Sequence, residues 1–194
     1  VPPRVAPTQA MIVPIAQHKE GVLDKAYELR DRLKDIVRVD IDASDKMPGW
    51  KFNEYEMKGI PVRIEMGPRD IENNQVVLVR RDTGEKEFVA MDDLAERLPA
   101  LLEEIQQHLY ESALKHRENM TSVAKTMDEF KQILDEKGGF IKAMWCGNIE
   151  CEEKIKEDTT ATSRCIPFDQ EHISDTCVCC GEKAKEMVYW SKAY

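Results

Sequence analysis

The sequence has no cysteine before Cys146, no apolar run of membrane-spanning length and only four histidines. Each absence removes a class of protein. A small secreted fold stapled by disulfides spreads its cysteines along the chain, whereas all six here fall between Cys146 and Cys180. An intracellular metal site fits that clustering better. A transmembrane helix needs about 20 successive apolar residues, and no such stretch occurs. The start, "VPPRVAPTQAMIVPI", has no basic segment ahead of a long apolar core, so no secretory signal is expected. Lacking an initiator methionine, it reads as the middle of a longer chain. There is no glycine-rich phosphate loop, no H-E-x-x-H and no Ser-His-Asp set, so no complete active site is expected. Paired carboxylates abound, but with 34% of residues charged they read as solvated faces. Positive charge is short too. The 28 Lys and Arg against 37 Asp and Glu leave a net charge of -9, which argues against non-specific nucleic-acid binding.

What is present describes a globular chain, 42% apolar. "MIVPIA" reads as a buried strand. From Gly21 to Ile36 the residues Val22, Leu23, Ala26, Leu29, Leu33 and Ile36 recur at helical spacing. "VRVDID" then alternates, and strand–helix–strand opens an α/β layer. Pro48 starts a short helix that Gly59 closes. In "IPVRIEM", Val62, Ile64 and Met66 point one way and Arg63 and Glu65 the other. "QVVLVRR" and "KEFVA" flank the turn "DTGE" as a hairpin. A long amphipathic helix is predicted from Pro99, a favourable first helical position, with Leu101, Leu102, Ile105, Leu109 and Ala113 on its apolar face. Another helix is predicted over Thr126–Lys137, and "GFIKAMW" is a strand leading into Cys146.

Cys146 and Cys151 form one short loop; Cys177 and Cys180 form a C-x-x-C followed by Gly181. Two such loops joined by a longer insert describe a closed four-thiolate zinc site. Cys179 is then the spare thiol, and Cys165, beside "IPF", a buried structural one. The alternatives are a Cys177–Cys179 pair, His172 or Cys165 in place of one member, or no metal. Four protein ligands leave no open position, so the zinc is expected to be structural, folding a tail too small for its own core. His18, His108 and His116 read as surface residues.

The stretch "GWKFNEYEMKGIPVRIEMGPRD" resembles the anticodon-binding domain shared by class II aminoacyl-tRNA synthetases for glycine, histidine, proline and threonine. The tail "AMWCGNIECEEKIKEDTTATSRCIPF", with the C-x-x-C and the final tyrosine, resembles the C-terminal module of prolyl-tRNA synthetases of the archaeal and eukaryotic type, which some bacteria also carry. "PPRVAPTQAMIVPI" is similar to the junction after that family's last catalytic motif. The resemblance spans essentially the whole chain. It implies an α/β fold with a mixed five-stranded sheet flanked by helices, then a small α+β zinc-binding module. The implied division is a linker over residues 1–10, an anticodon-binding domain with its C-terminal helix over 11–117, and a zinc-binding domain over 118–194. It further implies that the catalytic domain, with its ATP and magnesium, is missing here, and that the free carboxylate of Tyr194 approaches the active site of the full enzyme. The implied partners are tRNA(Pro) and the catalytic domain of the same chain, in a cytoplasmic homodimer with no role for DNA or membranes. The competing reading is a free-standing tRNA-binding or zinc-ribbon interaction module without ligase activity.

Proline codons begin with two cytosines, so the second and third anticodon bases are guanines. The Watson–Crick edge of guanine offers two N–H donors to a carboxylate, and its O6 and N7 accept from the fork of an arginine. Glu56, just before Gly59, and Arg63, off the core face of its strand, are placed to meet adjacent bases, and the resemblance assigns them that role. Lys86 matches a third contact of the family. The alternative is an ordinary surface salt bridge between Glu56 and Arg63. From Lys51 to Ala90 seven Lys and Arg face eight Asp and Glu, so no basic patch is expected there. Splayed loop bases can be read by hydrogen bonding and stacking without one.

Overall fold

The computed structural model describes residues 1–193, in two compact units that meet in sequence at Glu111 and Ser112. Tyr194 lies outside the described residues. No helix among them is long and apolar enough to cross a membrane.

The first unit runs β1 (Ala10–Pro14), α1 (Val22–Leu33), β2 (Val39–Ile41), α2 (Pro48–Met57), β3 (Val62–Met66), α3 (Pro68–Glu72), β4 (Gln75–Arg80) and β5 (Lys86–Ala90), then enters α4 (Leu94–Asn119). Its strands form a five-stranded mixed sheet in the order β2-β1-β3-β4-β5. Both neighbours of β1 are parallel to it, and β3, β4 and β5 pair antiparallel. Alternation divides the sheet into two faces. Ile12, Val62, Ile64, Met66, Val76 and Leu78 bury against Ala26, Leu29 and Leu33 of α1 and the leucines of α4. Arg63 and Glu65 project from the opposite face, to which α2 brings Phe52 and Glu56. Ile36, expected on the buried face of α1, falls beyond the helix end and is exposed.

Helix α4 starts at Leu94, so Pro99 lies inside it. The amides of Glu96 and Arg97 donate to the carbonyl of Asp93 at 3.1 and 2.9 Å, which fixes the first turn upstream of the proline. The apolar stripe explains the earlier start. Leu94 and Leu98 are fully buried, and two such side chains contribute roughly 1.5–3 kcal/mol each. That offsets a helical proline, which costs about 3 kcal/mol.

The second unit holds β6 (Thr121–Val123), α5 (Met127–Glu136), β7 (Phe140–Trp145), α6 (Ile149–Thr159), β8 (Ala161–Cys165) and β9 (Glu186–Lys192). Its four-stranded sheet has the order β6-β7-β9-β8. Thr126 caps α5 by accepting from the amide of Glu129, and Asn148 caps α6 by accepting from that of Glu150. Two expectations are corrected here. The unit does have its own core: Phe130, Ile141, Ala143, Ile155, Val188 and Trp190 are fully or almost fully buried together. And Cys165, expected to be buried, is exposed at the end of β8. Its apolar neighbours Ile166 and Phe168 are exposed as well, so they offer it no core to enter.

Candidate functional site

Among the described residues, two constellations carry chemistry, one in each unit. In the first, Glu56 occupies the last turn of α2 and Arg63 the second position of β3. The register places Arg63 opposite Val79, and Val79 opposite Lys86, so both cations stand in one row across three strands. Glu56 Oε1 accepts from Arg63 Nη1 at 3.0 Å. Glu56 is largely exposed, but Arg63 is only 8% exposed. Its guanidinium lies 4.1 Å from the centre of the Phe52 ring, a desolvated cation–π contact.

Glu65, two residues along the same face, was not singled out in the sequence. It accepts from Arg63 Nε at 3.0 Å and lies 3.4 Å from Lys86 Nζ. The i, i+2 alternation was the available sign that Arg63 and Glu65 share a face. These groups adjoin a cleft of about 330 Å³ lined by Tyr55, Glu56, Ile60, Arg63, Arg81, Gly84 and Lys86, among others. The linear charge count gave no hint of such clustering. Of the cleft's four cations, Arg80 is taken up by Asp82 at 2.7 Å. Arg81 donates from Nε to the Glu56 carbonyl at 2.7 Å, tying the β4–β5 turn to the end of α2.

A buried polar network fixes α2. Lys51 Nζ donates to the Asp42 carbonyl at 2.9 Å and to Gln17 Oε1 at 3.1 Å, and Tyr55 donates its hydroxyl to Asp42 at 2.7 Å. Burial, then donation to the Asp42 carboxylate, holds the Tyr55 phenol well above the usual tyrosine range. Burial pushes Asp42 upward, but donors from Ser44 and Tyr55 and the Lys51 charge outweigh it and hold its carboxyl below the ordinary value.

In the second unit, Cys146 follows β7, Cys151 sits in the first turn of α6, and Cys177 and Cys180 lie between β8 and β9. Their sulfurs all lie within 4.8 Å of one another. Cys146 and Cys151 are 3.6 Å apart, and Cys146 and Cys180 3.8 Å. Four sulfurs in a tetrahedron around zinc, with bonds of roughly 2.3 Å, are about 3.8 Å apart, so the residues present fit that ion. Cys165, Cys179 and His172 are not in the group. Gly181 takes a φ of 75° and donates its amide to the Cys177 carbonyl at 3.0 Å, closing the C-x-x-C turn. Burial opposes ionisation of Cys177, but the amides of Cys180, Cys179 and Cys146 donate to its sulfur and bring its pKa below the ordinary thiol value. Burial, then the thiols of Cys180 and Cys146, push Cys151 far upward. A cation at the centre reverses that, since metal binding draws the protons off its ligands.

Residues 9–101 match the family model described as "Anticodon binding domain", and residues 127–194 the one described as "Prolyl-tRNA synthetase, C-terminal". Fold and match together define an anticodon-binding domain of the aminoacyl-tRNA synthetase kind. With the second match and the relatives, this is a prolyl-tRNA synthetase C-terminal region that carries that domain. All 194 residues align with a proline–tRNA ligase of Oceanobacillus iheyensis at 73% identity, covering 40% of that enzyme. A proline–tRNA ligase of Clostridium novyi is 66% identical, and a proline–tRNA ligase 2 of Bacillus thuringiensis 63%, each with 41% of its length covered. The chain thus spans about two fifths of the relatives it matches. Those relatives are bacterial, and the archaeal and eukaryotic type expected from the tail finds no support in them.

Proposed function

We propose that the chain supplies anticodon recognition to a proline–tRNA ligase, and that the chemistry resides in a catalytic domain outside it. There proline is activated with ATP and magnesium and then transferred to tRNA(Pro). The functional division is an anticodon-binding domain over 11–117, following the linker 1–10, and a zinc-binding domain over 118–194. Glu56 accepts from the Watson–Crick edge of one anticodon guanine, Arg63 donates to O6 and N7 of its neighbour, and Lys86 adds a third contact. Cys146, Cys151, Cys177 and Cys180 hold a structural zinc that ties the β7–α6 junction to the loop before β9. The carboxylate of Tyr194 acts near the active site of the complete enzyme, a cytoplasmic homodimer.

The observation that carries the reading is the pairing of an exposed carboxylate with a held guanidinium at the mouth of one cleft, inside the matched anticodon-binding domain. A hydrogen-bonding site discriminates strongly against a base that leaves its polar groups unpaired. The test is calorimetric titration of the chain with an RNA hairpin carrying the UGG anticodon of proline, against one with both guanines replaced. Preference for the guanine hairpin is expected. Equal binding of both would overturn the assignment.

A further inference from the structure

Glu65 is a carboxylate buried in the middle of a sheet, where a charge costs more than an apolar residue of the same size. Its surroundings explain what it does. Arg63 Nε and Nη2 both lie 3.0 Å from Glu65 Oε1, and Lys86 Nζ lies 3.4 Å from Glu65 Oε2. Arg63 comes from β3 and Lys86 from β5, with β4 between them. One side chain therefore spans both cations of the row. Glu65 itself does not line the cleft, and its side chain is only 12% exposed.

The partners of Arg63 differ in freedom. Glu65 is buried and the Phe52 ring lies against the guanidinium, so the Nε–Nη2 edge is held and one side of the group is walled off. Glu56, on Nη1, is 56% exposed and sits near the end of a helix. In the free chain Glu56 and Arg63 satisfy each other at 3.0 Å. Reading the guanines requires that pair to open, with one base donating to Glu56 and its neighbour accepting from Arg63. Glu56 is the member that can turn. Without a second carboxylate, the released Arg63 would follow it or rotate away.

The geometry points to Glu65 as the positioning residue for anticodon reading: it holds Arg63 and Lys86 in place while Glu56 exchanges its partner from Arg63 to guanine. This rests on the anticodon reading proposed above. It places the preorganisation beneath the cleft, in a residue that does not line it.

The test uses three UGG hairpins: the parent, one with 7-deazaguanine at both guanine positions, and one with inosine there. Deazaguanine lacks the N7 acceptor that Arg63 uses; inosine lacks the amino donor that Glu56 uses. The unsubstituted chain should disfavour both, by about tenfold for each bidentate contact that loses a member. Glu65→Gln should lose most of the deazaguanine discrimination and keep the inosine discrimination, in a protein still folded at the titration temperature. A purely structural role would weaken both together. If Glu65→Gln does not fold, Glu65→Asp must give the same split, since it keeps the charge but is too short to span both cations. If the unsubstituted chain discriminates, Arg63→Ala abolishes the deazaguanine effect and the Glu65 variants retain it, the inference on Glu65 fails alone. If the unsubstituted chain discriminates neither hairpin, the anticodon reading fails and takes Glu65 with it.

Discussion

Lys51 Nζ lies 3.5 Å from Asp42 Oδ1, and the two side chains are 1% and 6% exposed. This buried pair joins α2 to the loop after β2, and α2 carries Phe52 and Glu56. Removing one partner of a buried pair costs about 3–5 kcal/mol, because the other is left charged without its counter-ion. Lys51→Ala should therefore lower the urea midpoint of the first unit markedly. It should also weaken guanine-hairpin binding, although Lys51 touches no base. A midpoint within experimental error of the parent would refute the anchoring role.

Acid should act on the same unit. Asp42, and Asp82 with Arg80 and His108 donating to it against the upward push of burial, both titrate below their ordinary value of 3.8. Carboxylates depressed in the folded state stabilise it fully above the unfolded value and lose that contribution as pH falls through the folded one. Melting temperature should change little down to about pH 5 and fall steeply below about pH 4. Asp82→Asn should flatten part of that fall. A melting temperature that declines evenly from neutral pH would contradict it.

Metal analysis should find close to one zinc per chain. Thiol titration of the native protein should show Cys165 reacting fast, Cys179 slowly and the other four protected. Cys177→Ser should release the metal and Cys179→Ser should not. Because the second unit has a core of its own, chelation should lower its melting temperature without erasing its far-ultraviolet signal. Six equally reactive thiols in the untreated protein would remove the zinc site.

Gly139 links α5 to β7 at a φ of 79°, and a Cβ there would collide with the Met120 carbonyl. That carbonyl accepts from the amide of Phe140 at 2.8 Å and holds β7 beside β6. Gly139→Ala should destabilise the second unit by several kcal/mol through strain and the displaced bond, while the first unit melts as before. A single unshifted transition would show that the backbone relaxes there.

Glu56→Ala and Arg63→Ala should each weaken binding of the guanine hairpin by about 1–3 kcal/mol, with zinc content unchanged. Undiminished affinity in both variants would move base reading elsewhere on the domain.

The strands of the first unit were legible because alternation in "IPVRIEM" and "QVVLVRR" reports local sterics and burial together. The start of α4 was not: Pro99 is a strong local signal, and only the burial of Leu94 and Leu98 overrides it. Helix α6 escaped notice because its buried residues, Cys151, Ile155 and Thr159, form a single narrow row in a polar segment. The cysteine cluster was readable from spacing, since short loops between ligands fix much of their geometry. The cleft was not. Glu65 and Lys86 meet only because β4 lies between β3 and β5, a relation of topology that no local window contains.

The order of strands in the second sheet has a consequence for synthesis. β9, the last strand to be made, lies between β7 and β8. Until it leaves the ribosome, β7 has an open edge and β8 has no partner at all. Chains fold domain by domain as they emerge, so the first unit can close on its own sheet while the second waits with an unpaired edge, the state most prone to joining a neighbour. This sheet cannot close until the strand that joins its two halves has been made.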